Sequence, residues 1–114
     1  MTLREQQSLF VKLTADFIQW VYASGWELTF SEAWRSPQEA AVQAAAGAGI
    51  VNSLHVQRLA IDLNLFRDGA LLTSVEDYLP LGVQWEGMHE LARWGGRFTR
   101  PDADHFSLTF NGVS

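Results

Sequence analysis

A chain of 114 residues has room for one hydrophobic core, and we expect a single domain over residues 1–114. Its composition, 47% hydrophobic and 18% charged, is typical of a globular protein rather than of a disordered or coiled-coil one. The formal net charge is −5 and the Lys and Arg residues form no run, so nucleic acid is not an expected partner. Because there is no Cys, any zinc site must use His, Asp or Glu.

The first predicted element is a helix from Leu3 to about Ser24, where apolar residues recur at steps of three and four until Gly25. Charged and polar side chains interrupt the apolar ones, which predicts neither a signal peptide nor a membrane-spanning segment. We therefore expect a protein that is made in the cytoplasm and has no membrane partner. We also expect it to be a monomer.

A strand and a short helix are predicted next. Residues 26–31 alternate apolar and polar side chains, as a half-buried strand does, and continued extension would place Arg35 away from the core. Ser36 followed by Pro37 is typical of a helix start, and the alanine-rich helix is predicted to run to about Ala46. The glycines at 47 and 49 would end it.

The second half of the chain predicts further strands around one helical region. Residues 59–66 alternate so that Asp62 leaves the core face, and a short strand is predicted at 70–73. Ser74 opens a helical region through Leu91, in which His89 is expected to be a helix-face residue. After a loop over residues 94–104, a last strand at 105–110 would place His105 on its non-core face.

Two histidines and one aspartate form the candidate metal site. His55, Asp62 and His105 would supply the three ligands of a catalytic zinc whose fourth position is left to water. Seven extended residues would span roughly 23 Å. His55 must therefore lie on the turn that enters the strand if it is to share a metal with Asp62.

Such a zinc would need a carboxylate that accepts the proton of the attacking water and passes it to the leaving amine. Asp102 lies near the metal because it is three residues before His105. Asp104 is the rival, but in a strand it would point to the opposite face from His105.

Three segments in order carry a family resemblance. SLHVQRLAID, which begins at Ser53, resembles the SxHxxGxAxD motif of peptidase family M15, the D-alanyl-D-alanine carboxypeptidases and dipeptidases with the phage L-alanyl-D-glutamate endolysins. WGGRFTRPDADHF is similar to the closing segment of that family, and AWRSPQEAA to its arginine ahead of a short helix. The resemblance implies an α+β fold, a small antiparallel sheet with helices packed against it.

Carried over to this chain, the resemblance implies one zinc ion held by His55, Asp62 and His105, with Asp102 as the catalytic carboxylate. Arg35 matches the arginine that holds the substrate or polarises its carbonyl, with an ordinary surface ion pair as the alternative. Ser53 matches the motif serine, which supports the site.

Two positions depart from the family pattern, and one tryptophan is a candidate substrate contact. Arg58 stands where the motif most often has Gly, so it is either strained at positive φ or an added contact for a substrate carboxylate. Ser107 replaces the Glu or Gln that many members carry after His-Phe. Trp94, beside two glycines, is a candidate to line a substrate groove.

The expected function is therefore zinc-dependent hydrolysis of an amide bond in the peptide stem of peptidoglycan, by a phage or prophage endolysin that reaches the wall after release. LNLF after Asp62 and the GGRF segment are similar to phage-encoded members. Two alternatives stay open. One is a D-alanyl-D-alanine carboxypeptidase or dipeptidase, and the other is a non-catalytic, zinc-stabilised binding or virion-associated module.

Overall fold

The computed structural model describes residues 1–47 and 53–114. Within these ranges the protein is α+β, as expected, with an antiparallel sheet and three α-helices. Gly49, predicted to help end the second helix, lies outside the described residues. The elements in chain order are α1 (Leu3–Ala23), β1 (Glu27–Glu32), α2 (Pro37–Ala45), β2 (Ala60–Arg67), β3 (Ala70–Leu72), α3 (Val75–Met88), β4 (Ala92–Trp94), a 3₁₀ turn (Gly95–Arg97) and β5 (His105–Leu108).

Strand β2 is the centre of the sheet, whose order is β1-β2-β5-β4. One edge of β2 pairs with β1, and the other pairs with β5 along its first half and with β3 along its second half. All of these pairs are antiparallel. Residues that are adjacent across such pairs point to the same face of the sheet, so the register decides which side chains meet.

Helices α1 and α3 cover one face of the sheet. Phe17 of α1 lies with its ring centroid 5.3 Å from that of Trp85 in α3 and 5.0 Å from that of Phe106 in β5. Leu63 and Leu65 of β2 are buried on the same side. Burying such side chains contributes about 1.5 to 3 kcal/mol each, so this layer supplies most of the stability of the fold.

The helix starts follow the local signals in the sequence. The Ser36 hydroxyl accepts a hydrogen bond from the Glu39 backbone N–H, with Pro37 at the first helical position. Ser74 and Asp77 form a reciprocal capping box at the start of α3. These bonds satisfy N–H groups that a helix leaves without partners in its first turn.

Two predicted boundaries are wrong, the end of the helical region and the end of the last strand, which is Leu108 rather than residue 110. Helix α3 ends at Met88 rather than Leu91, because His89 has an extended backbone and its Nδ1 accepts a hydrogen bond from the Leu91 N–H. His89 is therefore a helix cap and not a helix-face residue. The short strand β4 follows, between the predicted helical region and the predicted loop. It was not predicted, because a three-residue strand has too few residues for alternation to reveal it.

A bulge also changes the first strand from its predicted pattern. The register of β1 against β2 shifts between Phe30 and Glu32, so Ser31 is the extra residue. Phe30, expected on the buried face, is 68% exposed. Strand β1 also ends at Glu32, so the predicted extended run to Arg35 does not form.

In residues 1–47 and 53–114, no helix combines the length and the apolar character that crossing a membrane requires.

Candidate metal centre

The face of the sheet opposite α1 and α3 carries a row of three polar side chains. Glu32 of β1 is the register partner of Asp62 in β2, and Asp62 is in turn the partner of His105 in β5. Partners across antiparallel strands share a face, so the three side chains lie side by side. Asp62 thus leaves the core as the alternation predicts, between buried Ile61 and Leu63.

His55 reaches this row from the turn that precedes β2. The turn is closed by hydrogen bonds from the Arg58 N–H to the His55 carbonyl, 3.3 Å, and from the Leu59 N–H to the Leu54 carbonyl, 2.9 Å. Leu54 is buried and anchors the turn in the core. The structure confirms that His55 lies on the turn that enters the strand, as the chain length between His55 and Asp62 requires.

The three predicted ligands converge on one point. Oδ1 of Asp62 lies 3.2 Å from Nε2 of His55 and 3.3 Å from Nδ1 of His105. One ligand atom from each residue lies within 4.8 Å of the other two. Ligand atoms around a tetrahedral zinc with bonds of about 2.0 to 2.1 Å are about 3.3 Å apart, so two nitrogens and one oxygen with these spacings fit a zinc ion.

The atom at the centre of this group is a carboxylate oxygen of Asp62. Oδ1 of Asp62 is buried and, among the described residues, takes part in no hydrogen bond. Burial would raise the pKa of Asp62, but the contacts with His105 and His55 outweigh it and lower the pKa to about 2. Asp62 is therefore an anion at neutral pH, and a buried anion calls for a cation beside it.

Asp102 stands beside this group at the edge of solvent. Its Oδ2 is 3.9 Å from Nδ1 of His105, and half of its side chain is exposed. The turn that holds it is tied back by hydrogen bonds from the Asp102 N–H to the Gly95 carbonyl, 2.9 Å, and from the His105 N–H to the Asp102 carbonyl, 3.2 Å. A Cβ on Gly95 would lie 2.2 Å from that Asp102 carbonyl oxygen, so the approach requires glycine.

Asp104 is closer to the site than the strand argument predicts. Strand β5 begins at His105, so the alternation does not extend to Asp104, and carboxylate oxygens of Asp62, Asp102 and Asp104 lie within 4.8 Å of one another. Burial, with the neighbouring carboxylates of Asp102 and Asp62, raises the pKa of Asp104 to about 7. Asp104, however, lines a smaller cavity of about 230 Å³ that also contains Tyr78.

The converging ligands open into a cavity of about 400 Å³. Asp102 lines it and Asp104 does not, which favours Asp102 as the carboxylate that meets a substrate. The cavity is large enough for a few residues of a peptide. Its lining residues are Arg35, Ser53, Leu54, His55, Asp62, Phe98, Arg100, Pro101, Asp102, His105 and Ser114.

Arg35 is fixed at the inner wall of this cavity. Its guanidinium is in contact with the Glu32 carboxylate through Nη2, and its Nη1 donates to the Ser53 hydroxyl at 3.3 Å. Only 11% of the Arg35 side chain is exposed, so it is not the surface ion pair of the alternative interpretation. Ser53 also accepts the backbone N–H of His55, which connects the arginine to the metal site.

Two other predicted substrate contacts lie away from the cavity. Trp94 is 1% exposed, packs against Gly82 and donates its indole N–H to the Ala103 carbonyl at 2.7 Å, so its predicted place in a substrate groove is wrong. Arg58 has φ +59°, the conformation for which glycine is favoured, and its guanidinium lies 4.9 Å from the ring centre of Trp34. Arg58 does not line the cavity in this structure.

Two residues at the site, Glu32 and Arg100, were not predicted from the sequence. Glu32 is separated from the nearest ligand by more than twenty residues and lies next to it only through strand pairing. Arg100 lines the cavity near Asp102 and, within the described residues, has no ion-pair partner. The proximity of Arg100 to Asp102 in the sequence was the one available signal.

A model of a peptidase family described as D-alanyl-D-alanine carboxypeptidase matches residues 46–108, more than half of the chain, and the match includes all three candidate ligands. The chain belongs to peptidase family M15. This confirms the family that the motifs indicate. No curated protein matches the chain in sequence.

A solved M15-like structure agrees with the fold. The L-Ala D-Glu endopeptidase ChiX of Serratia marcescens is similar with a TM-score of 0.65 and 26% identity, over 74% of this chain and 68% of ChiX. The expected architecture, a small antiparallel sheet with helices packed against it, is thereby confirmed for this M15 protein.

Proposed function

We propose that this M15 protein is a zinc-dependent peptidase that hydrolyses an amide bond in the peptide stem of peptidoglycan. The observation that carries the proposal is the convergence of His55, Asp62 and His105 at the floor of an open cavity, with Asp102 beside them. Family membership supports peptide hydrolysis, and the similarity to an L-Ala D-Glu endopeptidase supports a cell-wall substrate.

The residues of the cavity have different roles in the proposed reaction. A zinc ion held by the three ligands would supply activation of water and polarisation of a carbonyl. Asp102, which is half exposed and lines the cavity, takes the proton of the attacking water and delivers it to the leaving amine. Arg35 lines the same cavity, where its charge binds the substrate or stabilises negative charge on the carbonyl oxygen.

The scissile bond that we favour joins L-Ala to D-Glu, because the similar solved structure is an L-Ala D-Glu endopeptidase. The second candidate is a D-alanyl-D-alanine carboxypeptidase or dipeptidase, favoured by the description of the matching family. A stem peptide carries free carboxylates in both cases. Arg100 lines the cavity and is a cation without an ion-pair partner in the described part of the chain, so it is suited to bind one of them. We propose that the protein acts as a monomer, on the wall, after release at phage-induced lysis.

The experiment that tests the function is mass spectrometry of fragments released from purified peptidoglycan sacculi by the zinc-loaded protein, with a chelated sample as control. New amino termini at D-Glu that vanish on chelation would establish the endopeptidase. Release of terminal D-Ala would establish the carboxypeptidase. Intact sacculi of several wall chemotypes, together with bound zinc, would overturn the catalytic proposal in favour of a non-catalytic zinc-stabilised module.

A further inference from the structure

Glu32 occupies a position that strand β1 would not give it without a bulge. Phe30 is the register partner of Leu63, which points to the core, and in a regular strand Glu32 would point the same way. The extra residue Ser31 reverses this alternation and makes Glu32 the partner of Asp62, on the face of the metal site. The bulge therefore aims one carboxylate at the candidate metal centre.

The Glu32 carboxylate lies beside the nitrogen of His55 that faces away from Asp62. Oε1 of Glu32 lies 3.6 Å from Nδ1 of His55, while Nε2 of the same ring faces Asp62 at 3.2 Å. His55 is 3% exposed, and its Nδ1 has no hydrogen-bond partner among the described residues. The ring therefore stands between two carboxylates, one at each nitrogen.

A histidine that binds a metal through Nε2 carries its proton on Nδ1, and a carboxylate near that proton fixes the tautomer and the ring orientation and makes the ligand more basic. Glu32 is suited to this task because its own position is fixed. Its Oε1 is also in contact with the Arg35 guanidinium, and only 26% of its side chain is exposed.

We propose that Glu32 is a positioning residue for the metal ligand His55, and that it connects this ligand to Arg35 on the substrate side of the cavity. One carboxylate oxygen faces both the imidazole and the guanidinium, so the orientation of the ligand and that of the substrate-binding arginine depend on the same group. The inference rests on the zinc centre of the proposed function, but it concerns residues that no motif match assigns.

The test is the zinc affinity of Glu32→Gln, measured by competition with a chromophoric chelator. Glutamine keeps the size and the acceptor oxygen but removes the charge, so we expect the dissociation constant for zinc to rise by about 10- to 100-fold. Glu27→Gln is the matched control, because Glu27 is an exposed residue at the other end of β1, paired with Phe66, and its substitution should leave zinc affinity unchanged.

Cobalt(II) in place of zinc supplies a second readout that depends on ligand geometry rather than on turnover. Its visible absorption should change in position or intensity in Glu32→Gln and stay as in the wild type in Glu27→Gln. Arg35→Met separates the two contacts of Glu32. It should lower turnover and should reduce zinc affinity less than Glu32→Gln does, since the carboxylate beside His55 remains.

Each result bears on one claim. Equal zinc affinity and equal cobalt spectra in Glu32→Gln and wild type would overturn the role of Glu32 while the zinc centre stands. A loss of zinc affinity in Arg35→Met together with wild-type affinity in Glu32→Gln would also overturn it, because the arginine and not the carboxylate would then support the ligand. A wild-type protein that binds no stoichiometric zinc would instead remove the centre on which the inference rests.

Discussion

The two faces of the sheet use neighbouring residues of the same strands in opposite ways. Leu63 and Phe106 are buried against helices α1 and α3 and bring no polar side-chain atoms into the core. One residue before each of them, Asp62 and His105 point to the other face, where the buried Asp62 Oδ1 and His105 Nε2 have no hydrogen-bond partner among the described residues. The core face stabilises the fold by itself, whereas the site face holds polar atoms whose stabilisation we expect from a bound cation.

The largest expected effect is a loss of activity that is confined to the site face. Asp102→Asn should lower kcat by about 10²- to 10⁴-fold, because the amide cannot accept the proton of the attacking water. Zinc stoichiometry and unfolding free energy should stay as in the wild type, since Asp102 is half exposed and is not one of the three proposed ligands.

Asp68→Asn is the control for Asp102→Asn. Asp68 lies in an exposed turn with φ +52°, which asparagine also tolerates, so its activity should match the wild type. The measurement for both variants is the rate of amine release from sacculi, and wild-type turnover in Asp102→Asn would contradict the assignment of this carboxylate.

Two adjacent residues of β5 allow the two faces to be compared directly. Phe106→Ala should lower the free energy of unfolding by about 3 to 5 kcal/mol with or without zinc, because it leaves a cavity in the core. His105→Ala should cost less in chelated protein. It should abolish the stabilisation that zinc confers on the wild type, about 2.7 kcal/mol at a zinc concentration of 100 times the dissociation constant.

Denaturant unfolding of the wild type and both variants, each with chelator and with zinc, gives the six numbers that this comparison needs. If zinc stabilised His105→Ala as much as the wild type, His105 would not be a ligand and the division between the two faces would fail.

The close approach at Gly95 joins the site to the sheet. In Gly95→Ala the added Cβ would meet the Asp102 carbonyl oxygen at 2.2 Å and the His105 Cβ at 2.8 Å. We expect a loss of about 1 to 3 kcal/mol in the free energy of unfolding, by analogy with overpacked cores, together with a lower kcat. Gly87→Ala in α3, where the Cβ meets nothing within 4 Å, should be neutral or stabilising and should leave kcat unchanged.

Tyr78 allows the core face to be tested by pH. Its hydroxyl donates to the Leu63 carbonyl at 2.7 Å and accepts the Leu65 N–H at 3.1 Å. Burial, with the charge of Asp104, raises its pKa from 10 to about 12. The unfolded chain then loses this proton at a lower pH than the folded one, so the contribution of Tyr78 to stability is complete below pH 10 and declines as the pH rises towards 12.

Denaturant unfolding of chelated protein between pH 9 and about 12 measures this decline. In Tyr78→Phe the decline should be smaller, and the stability near neutral pH should be lower by about 1 to 3 kcal/mol because the Leu65 N–H loses its acceptor. Parallel pH curves for the two proteins would show that another group is responsible.

The smallest effect concerns the turn that carries His55. Arg58→Gly relieves a left-handed backbone at φ +59° but loses the contact of the guanidinium with Trp34. These changes oppose each other, and each is worth about 1 kcal/mol, so the net change in unfolding free energy should be within about 1 kcal/mol. Zinc affinity and KM should not change, and a clear rise in KM would restore Arg58 as a substrate contact.

Much of this M15 protein follows from local sequence. The caps at Ser36 and Ser74 and the alternation around Asp62 each depend on a few neighbouring residues, so the sequence alone predicts α2, the start of α3 and strand β2. The candidate ligands could also be predicted from the sequence. Two of them lie within one motif, and the third follows from the order of the motifs along the chain and from the alternation of the last strand.

Tertiary structure decided what depends on pairing between distant segments. Trp94 was expected at a groove but is buried, because β4 pairs with β5 and the small residue Gly82 leaves room for the indole. Glu32 carries no local signal, because its neighbours His55 and Asp62 are supplied by another strand and its turn. Local patterns specify the face of a strand, whereas strand register and a single bulge decide which side chains meet across it.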